Sequence, residues 1–92
     1  MNQPSRQQIA TYLTDYVLSE LVKYVIEDTG CSIEQAMERV YNSPLMTALQ
    51  DVENELYVQS PAYLYELLNH PQGLDRWILK KQINLLSTFL GI

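Results

Sequence analysis

The sequence is poor in the side chains that carry most metal and acid–base chemistry. Its 92 residues include one cysteine, Cys31, and one histidine, His70. A single cysteine excludes a disulfide within the chain, which fits a reducing compartment. One histidine and one cysteine supply too few strong ligands for a zinc site. We therefore expect no metal, no cofactor and no enzymatic activity.

Long apolar runs are also missing. A membrane-spanning helix needs about 20 predominantly apolar residues, and charged or polar side chains interrupt every apolar stretch of this chain before that length. Residues 1–8 are polar and do not contain the apolar segment of a secretory signal peptide. We expect a soluble, cytoplasmic, bacterial-type protein with one helical domain over residues 1–92.

Basic side chains are scarce, and they are unevenly placed. The net charge is −5. Residues 1–73 hold ten acidic and three basic side chains, a charge of −7, whereas residues 74–92 hold one acidic and three basic side chains, a charge of +2. An acidic body repels phosphate backbones, so we expect no nucleic acid as a partner. A basic protein is the partner that this charge fits.

Apolar residues recur at three- and four-residue spacing along most of the chain, which predicts helices. No period-two pattern extends beyond residues 55–59, so the predicted class is all-α, a compact bundle of about five helices. The first, over 5–29, is long enough to be the spine. The others are expected over 32–41, 44–54, 61–69 and 74–90, with 55–59 either helical or extended.

The turn at Gly30 between the first two predicted helices has the sequence pattern of a helix-turn-helix, in which one helix ends, a glycine turns the chain and a second helix begins. Ser32 and Gln35 have the spacing of a capping box, so the second helix is predicted to begin there. A DNA-recognition helix should expose basic or amide side chains, but Glu34 and Glu38 are carboxylates. A DNA-binding regulator is therefore the alternative hypothesis, and an ordinary helix corner is the preferred one. Ile33, Ala36, Met37, Val40 and Tyr41 form the predicted apolar face of this helix.

The last helix carries two apolar stripes, one of Leu79, Ile83, Leu86 and Leu90, the other of Leu74, Ile78, Leu85 and Phe89 beside Trp77. One stripe can pack on the first helix. The other stripe has three possible roles. It packs in the core, it forms an interface with a second subunit or another protein, or it lies on a membrane surface together with Arg76, Lys80 and Lys81. Of these, a membrane surface is the least expected.

The remaining candidate sites have ordinary structural explanations. Cys31 lies at a helix N-terminus, where a thiolate is stabilised, but no base stands beside it in the sequence. His70 precedes Pro71 at a predicted helix end and can interact with the last carbonyls there. No paired-carboxylate motif is present, so we predict no catalytic residue.

Residues 22–68 contain the stretches VKYVIEDTGCSIEQAMERV, LMTALQDV and LYVQSPAYLYELL. With these stretches the segment resembles a family of small uncharacterised bacterial helical domains. Family members share an acidic helix end, the Ser-x-x-x-Ala spacing of Ser32 and Ala36, and a leucine-rich return. The chain departs from them at Tyr57 and Val58, where they have a His-Thr pair. Because some relatives are encoded beside toxin-like proteins, the resemblance implies an accessory or neutralising role without catalytic residues.

These observations predict a small regulatory protein that acts through protein contacts, as a homodimer, with a basic protein partner, or both. The predicted partner-binding residues are an apolar anchor on the last helix and an acidic group that attracts the partner: Trp77, Ile78, Leu85 and Phe89, with Glu27, Asp28, Glu34 and Glu38.

Overall fold

The structure is a computed structural model that describes residues 3–91, without the side chains of residues 81–82 and 84–90. Within that range it is all-α, with no strand. The five α-helices there are α1 (Arg6–Thr29), α2 (Ile33–Tyr41), α3 (Pro44–Gln50), α4 (Pro61–Asn69) and α5 (Gln72–Leu90).

Serine caps begin the first four helices. The hydroxyl oxygens of Ser5, Ser32, Ser43 and Ser60 each accept a hydrogen bond from the backbone N–H three residues later. At Ser5 and Ser32 a glutamine completes the capping box. Gly30, in the left-handed region at φ 69°, ends α1. The predicted bounds of α1, α2 and α4 agree with the structure to within one residue, whereas α5 begins at Gln72, two residues before its predicted start.

The segment between α3 and α4 differs from the prediction. α3 ends at Gln50, not at Asn54, and two 3₁₀ helices follow, Val52–Asn54 and Leu56–Val58. The Asp51 carboxylate accepts a hydrogen bond from the Glu53 N–H at 3.0 Å and so competes with continuation of the helix. Glu55 joins the two 3₁₀ helices with φ 56°. The segment 55–59 is therefore neither a continued α-helix nor an extended connection.

The core lies on one side of α1, which packs against α2, α4 and the second 3₁₀ helix. Leu21 and Val25 are at most 1% exposed and stand at its centre. Around them lie buried residues of the other four α-helices and of the second 3₁₀ helix: Ala36, Val40, Leu45, Leu49, Leu56, Leu64, Leu67 and Leu74. The expectation that the long first helix serves as the spine is met.

The apolar residues of α1 extend beyond its buried face. Ile9 and Tyr16 belong to the apolar three- and four-residue spacing of this helix, but they are 44% and 54% exposed. A helix of 24 residues spans about 36 Å, whereas the nine residues of α2 or α4 span about 13 Å. The short helices therefore cover only part of α1.

Candidate protein-interaction surface

The outer part of the α2 apolar face is exposed. Ala36 and Val40 are buried, as predicted, but Ile33, Met37 and Tyr41 are 60%, 41% and 45% exposed. These three residues follow one another at four-residue spacing, so they form a column along one side of the helix. The column therefore belongs to the predicted apolar face of α2, but the described part of the fold leaves it largely uncovered.

The column borders an open groove between α1 and α2. We call it the α1–α2 groove. It has a volume of about 290 Å³ and is lined by Leu18, Ser19, Val22, Lys23, Ile26, Ile33, Met37 and Tyr41. Leu18 is buried, and Val22 and Ile26 pack against the core while remaining half-buried. An apolar floor beside an exposed apolar column is typical of a surface that another helix can cover.

Acidic side chains lie along the outer side of this groove. Glu34 and Glu38 are exposed and each follow one residue after a member of the column, so they stand about 100° further around α2. Lys23 is the cation among the groove's lining residues, and its amino group binds the Glu20 carboxylate at 3.2 Å. The outer side of the groove is therefore negative.

The other two predicted acidic residues lie elsewhere. Glu27 is exposed on α1. Asp28 accepts a hydrogen bond of 2.5 Å from the Tyr65 hydroxyl, which ties the end of α1 to α4. Burial and this hydrogen bond raise the pKa of Tyr65 above its ordinary value. The centre of the Tyr65 ring also lies 5.3 Å from the centre of the Tyr24 ring. Glu34 and Glu38 thus share the exposed side of α2, whereas Asp28 contacts α4.

On α5, the predicted anchor residues are partly engaged within the fold. The Trp77 indole N–H donates a hydrogen bond of 2.9 Å to the Asn54 carbonyl, and its ring lies 6.2 Å from that of Tyr63. Ile78 is half-buried. Leu85 and Phe89 lie outside the described side chains. The two described members of the other stripe, Leu79 and Ile83, are 56% and 52% exposed.

The candidates for reactive chemistry occupy ordinary positions. Cys31 is half-buried against the core, and its N–H donates a hydrogen bond to the Thr29 hydroxyl. His70 is exposed at the end of α4, where its backbone N–H binds the Glu66 carbonyl. Among the described residues, no cluster of three or more histidine, cysteine, aspartate or glutamate side chains could hold a metal ion.

The position of α2 also bears on the DNA-binding hypothesis. Its exposed surface carries Glu34 and Glu38, and its one guanidinium, that of Arg39, donates a hydrogen bond to the Asn69 side chain. Phosphate and base edges would meet carboxylates there. The hypothesis predicts salt-sensitive binding to duplex DNA, and an absence of binding at low salt would eliminate it.

No helix in the described part of the chain is both long enough and apolar enough to cross a lipid bilayer. Neither models of protein families, nor curated proteins, nor solved structures give a match to this chain.

Proposed function

We propose that this chain is a small acidic regulatory protein that acts by binding a basic, amphipathic helix of a protein partner in the α1–α2 groove. The observation that carries the proposal is the exposed column of Ile33, Met37 and Tyr41 beside a half-buried apolar floor. An antitoxin-like or accessory role belongs to this class of function, and cytoplasmic action is part of the same proposal.

The apolar column supplies the affinity in this proposal. Fully burying an isoleucine or methionine side chain contributes about 1.5–3 kcal/mol. The exposed fractions of Ile33, Met37 and Tyr41 are 60%, 41% and 45%, so a covering helix gains roughly 2–4 kcal/mol from these three before entropic costs. Apolar contacts on the floor at Val22 and Ile26 add to that gain.

The acidic flank supplies the choice of partner. Glu34 and Glu38 stand four residues apart on the exposed side of α2. A partner helix with Lys or Arg at the same spacing places its cations against both carboxylates, whereas an acidic helix is repelled. Exposed charge pairs are individually worth up to about 1 kcal/mol, so they set orientation and association rate more than affinity.

The proposal is tested with a designed helical peptide that has leucine at four-residue spacing and lysine along one flank. A second peptide has glutamate in place of each lysine. Fluorescence anisotropy measures the binding of each labelled peptide to the purified protein. We expect the lysine peptide to bind and the glutamate peptide to bind at least about tenfold more weakly.

Variants of the protein separate groove binding from general attraction between opposite charges. Ile33→Ser/Met37→Ser should weaken binding, whereas Ile9→Ser/Val58→Ser, which alters residues that are 44% and 57% exposed outside the groove, should not. If both double variants bind the lysine peptide as the unmodified protein does, the groove is not the site.

Charge reversal provides a second matched pair. Glu34→Lys/Glu38→Lys should abolish the preference for the lysine peptide. Asp15→Lys/Glu53→Lys makes the same change in net charge at exposed positions outside the groove and should leave the preference in place. An equal loss in both variants would mean that only net charge matters and would contradict the proposal.

A further inference from the structure

The outer surface of α5 carries both apolar and cationic side chains. Leu79 and Ile83 are 56% and 52% exposed, and Arg76 and Lys80 are exposed. In helical projection the four residues fall within about 100° of one another, so they share one face. Neither cation forms an ion pair with a described residue. This face, which we call the outer α5 face, is the basic part of an otherwise acidic chain.

The outer α5 face matches the α1–α2 groove in chemistry and spacing. The groove presents apolar residues four apart, at Ile33 and Met37, with carboxylates four apart beside them. The outer α5 face presents apolar residues four apart, at Leu79 and Ile83, with cations four apart beside them. Four residues of an α-helix rise about 6 Å, so the apolar and charged residues of both surfaces repeat at the same distance along their helices.

We propose that the occupant of the groove is α5 of a second copy of this chain. This inference rests on the proposed function, because it names the helix that fills the same groove. Charge complementarity between a groove flanked by Glu34 and Glu38 and a helix that carries Arg76 and Lys80 carries the argument.

The order of the residues fixes the relative direction of the two helices. In α2 each carboxylate follows an apolar residue by one position, as Glu34 follows Ile33. In α5 Lys80 follows Leu79 in the same way. The charged column therefore stands on the same side of the apolar column in each helix. Such columns face each other only when the helices run antiparallel, which pairs Glu34 with Lys80 and Glu38 with Arg76.

The contact joins two different surfaces. Two chains therefore form a closed dimer when α5 of each chain occupies the α1–α2 groove of the other. In that dimer both grooves are occupied. A basic protein partner must then displace α5, which makes self-association a competitor of partner binding.

The test uses two charge-reversed variants of the full chain. One is Glu34→Lys/Glu38→Lys, which makes the groove basic, and the other is Arg76→Glu/Lys80→Glu, which makes the outer α5 face acidic. Light scattering after size exclusion measures mass over roughly a hundredfold range of concentration. The unmodified chain of 10.7 kDa should form a dimer. Each variant alone opposes like charges, so its dimer dissociation constant should rise at least about tenfold.

Mixing the two variants is the decisive step. The acidic α5 of one variant then meets the basic groove of the other, and the basic α5 meets the unmodified acidic groove, so a one-to-one heterodimer should form. The control variant Asp15→Lys/Glu53→Lys should dimerise like the unmodified chain. Circular dichroism of each variant confirms that the helices remain folded.

Three results would overturn the inference. These are an unmodified chain that remains monomeric, a variant that dimerises alone as well as the unmodified chain does, and a mixture that stays monomeric. A dimer through α5 against α5 would persist in Glu34→Lys/Glu38→Lys, so that alternative is identified by the same data. If the unmodified chain is monomeric but its groove still binds the lysine peptide, this inference fails while the proposed function stands.

Discussion

Leu21 and Ile33 are aliphatic residues of neighbouring helices with opposite exposure. Leu21 is 0% exposed at the centre of α1, and Ile33 is 60% exposed at the start of α2. The interpretation of α2 as a helix with a buried side and a free apolar column requires the two residues to contribute very differently to stability. Replacement of each by alanine measures that difference.

The expected magnitudes follow from burial. Leu21→Ala removes three carbon atoms from a packed site and leaves a cavity, which costs about 3–5 kcal/mol. Ile33 has only the buried two-fifths of its surface to lose, so Ile33→Ala costs about 1 kcal/mol or less. A chain of 92 residues has a total stability of about 5–14 kcal/mol, so only the first substitution removes a large part of it.

The assay is urea unfolding, monitored by circular dichroism, at a protein concentration low enough to keep the chain monomeric. With a urea slope of about 1–2 kcal/mol per molar, Leu21→Ala should lower the midpoint by about 2–3 M and Ile33→Ala by about 1 M or less. Equal shifts for the two variants would refute the reasoning, because they would mean that Ile33 is packed as tightly as Leu21.

Three further predictions concern caps, pH and salt. Ser32→Ala removes the cap and the capping box of α2 and should lower the unfolding free energy by about 1 kcal/mol, whereas an unchanged midpoint would show that the cap is redundant. The raised pKa of Tyr65 favours the protonated hydroxyl in the folded state. The stability associated with this hydroxyl is therefore fully present below the unfolded pKa of about 10 and is lost as pH rises through the folded pKa. Tyr65→Phe should show a smaller loss of stability above about pH 10, and identical pH profiles for the variant and the unmodified chain would contradict this. Raising the salt concentration from low ionic strength should weaken binding of the lysine peptide severalfold, because Glu34 and Glu38 are exposed. Binding that does not depend on salt would show that these carboxylates do not attract the peptide.

The helix boundaries could be predicted because their causes are local. Ser5, Ser32, Ser43 and Ser60 each cap the helix that follows, and Gly30 adopts the left-handed conformation that ends α1. Such signals involve residues within about four positions of one another, so the sequence shows them directly.

The segment after α3 could not be predicted in the same way. Asp51 binds a backbone N–H two residues later, and the Asn54 side chain donates a hydrogen bond to the Ala48 carbonyl. These contacts compete with a helix that the apolar spacing of Leu49 and Val52 favours equally well. Leu56 is buried in the core against elements that include α1, which is distant in the sequence, and such packing is not visible in a local pattern.

The candidate site was only partly visible in the sequence. The apolar pattern of α2 identifies Ile33, Met37 and Tyr41 but cannot show that α1 leaves them uncovered. Likewise, the hydrogen bond from Trp77 to Asn54 joins residues 23 positions apart, so a residue predicted as a partner anchor also has a role inside the fold. The roles of Trp77, Ile78, Leu85 and Phe89 in partner binding stay predictions.

The most direct test of the central claim is a map of where the lysine peptide binds. Proton–nitrogen correlation spectra of the labelled protein, recorded during titration, report each backbone amide separately. We predict that the shifted amides cluster at residues 18–26 and 33–41, on the two helices that form the α1–α2 groove. Shifts confined to α3 and α5, or spread evenly over the acidic surface, would contradict the claim that this groove is the protein's binding site.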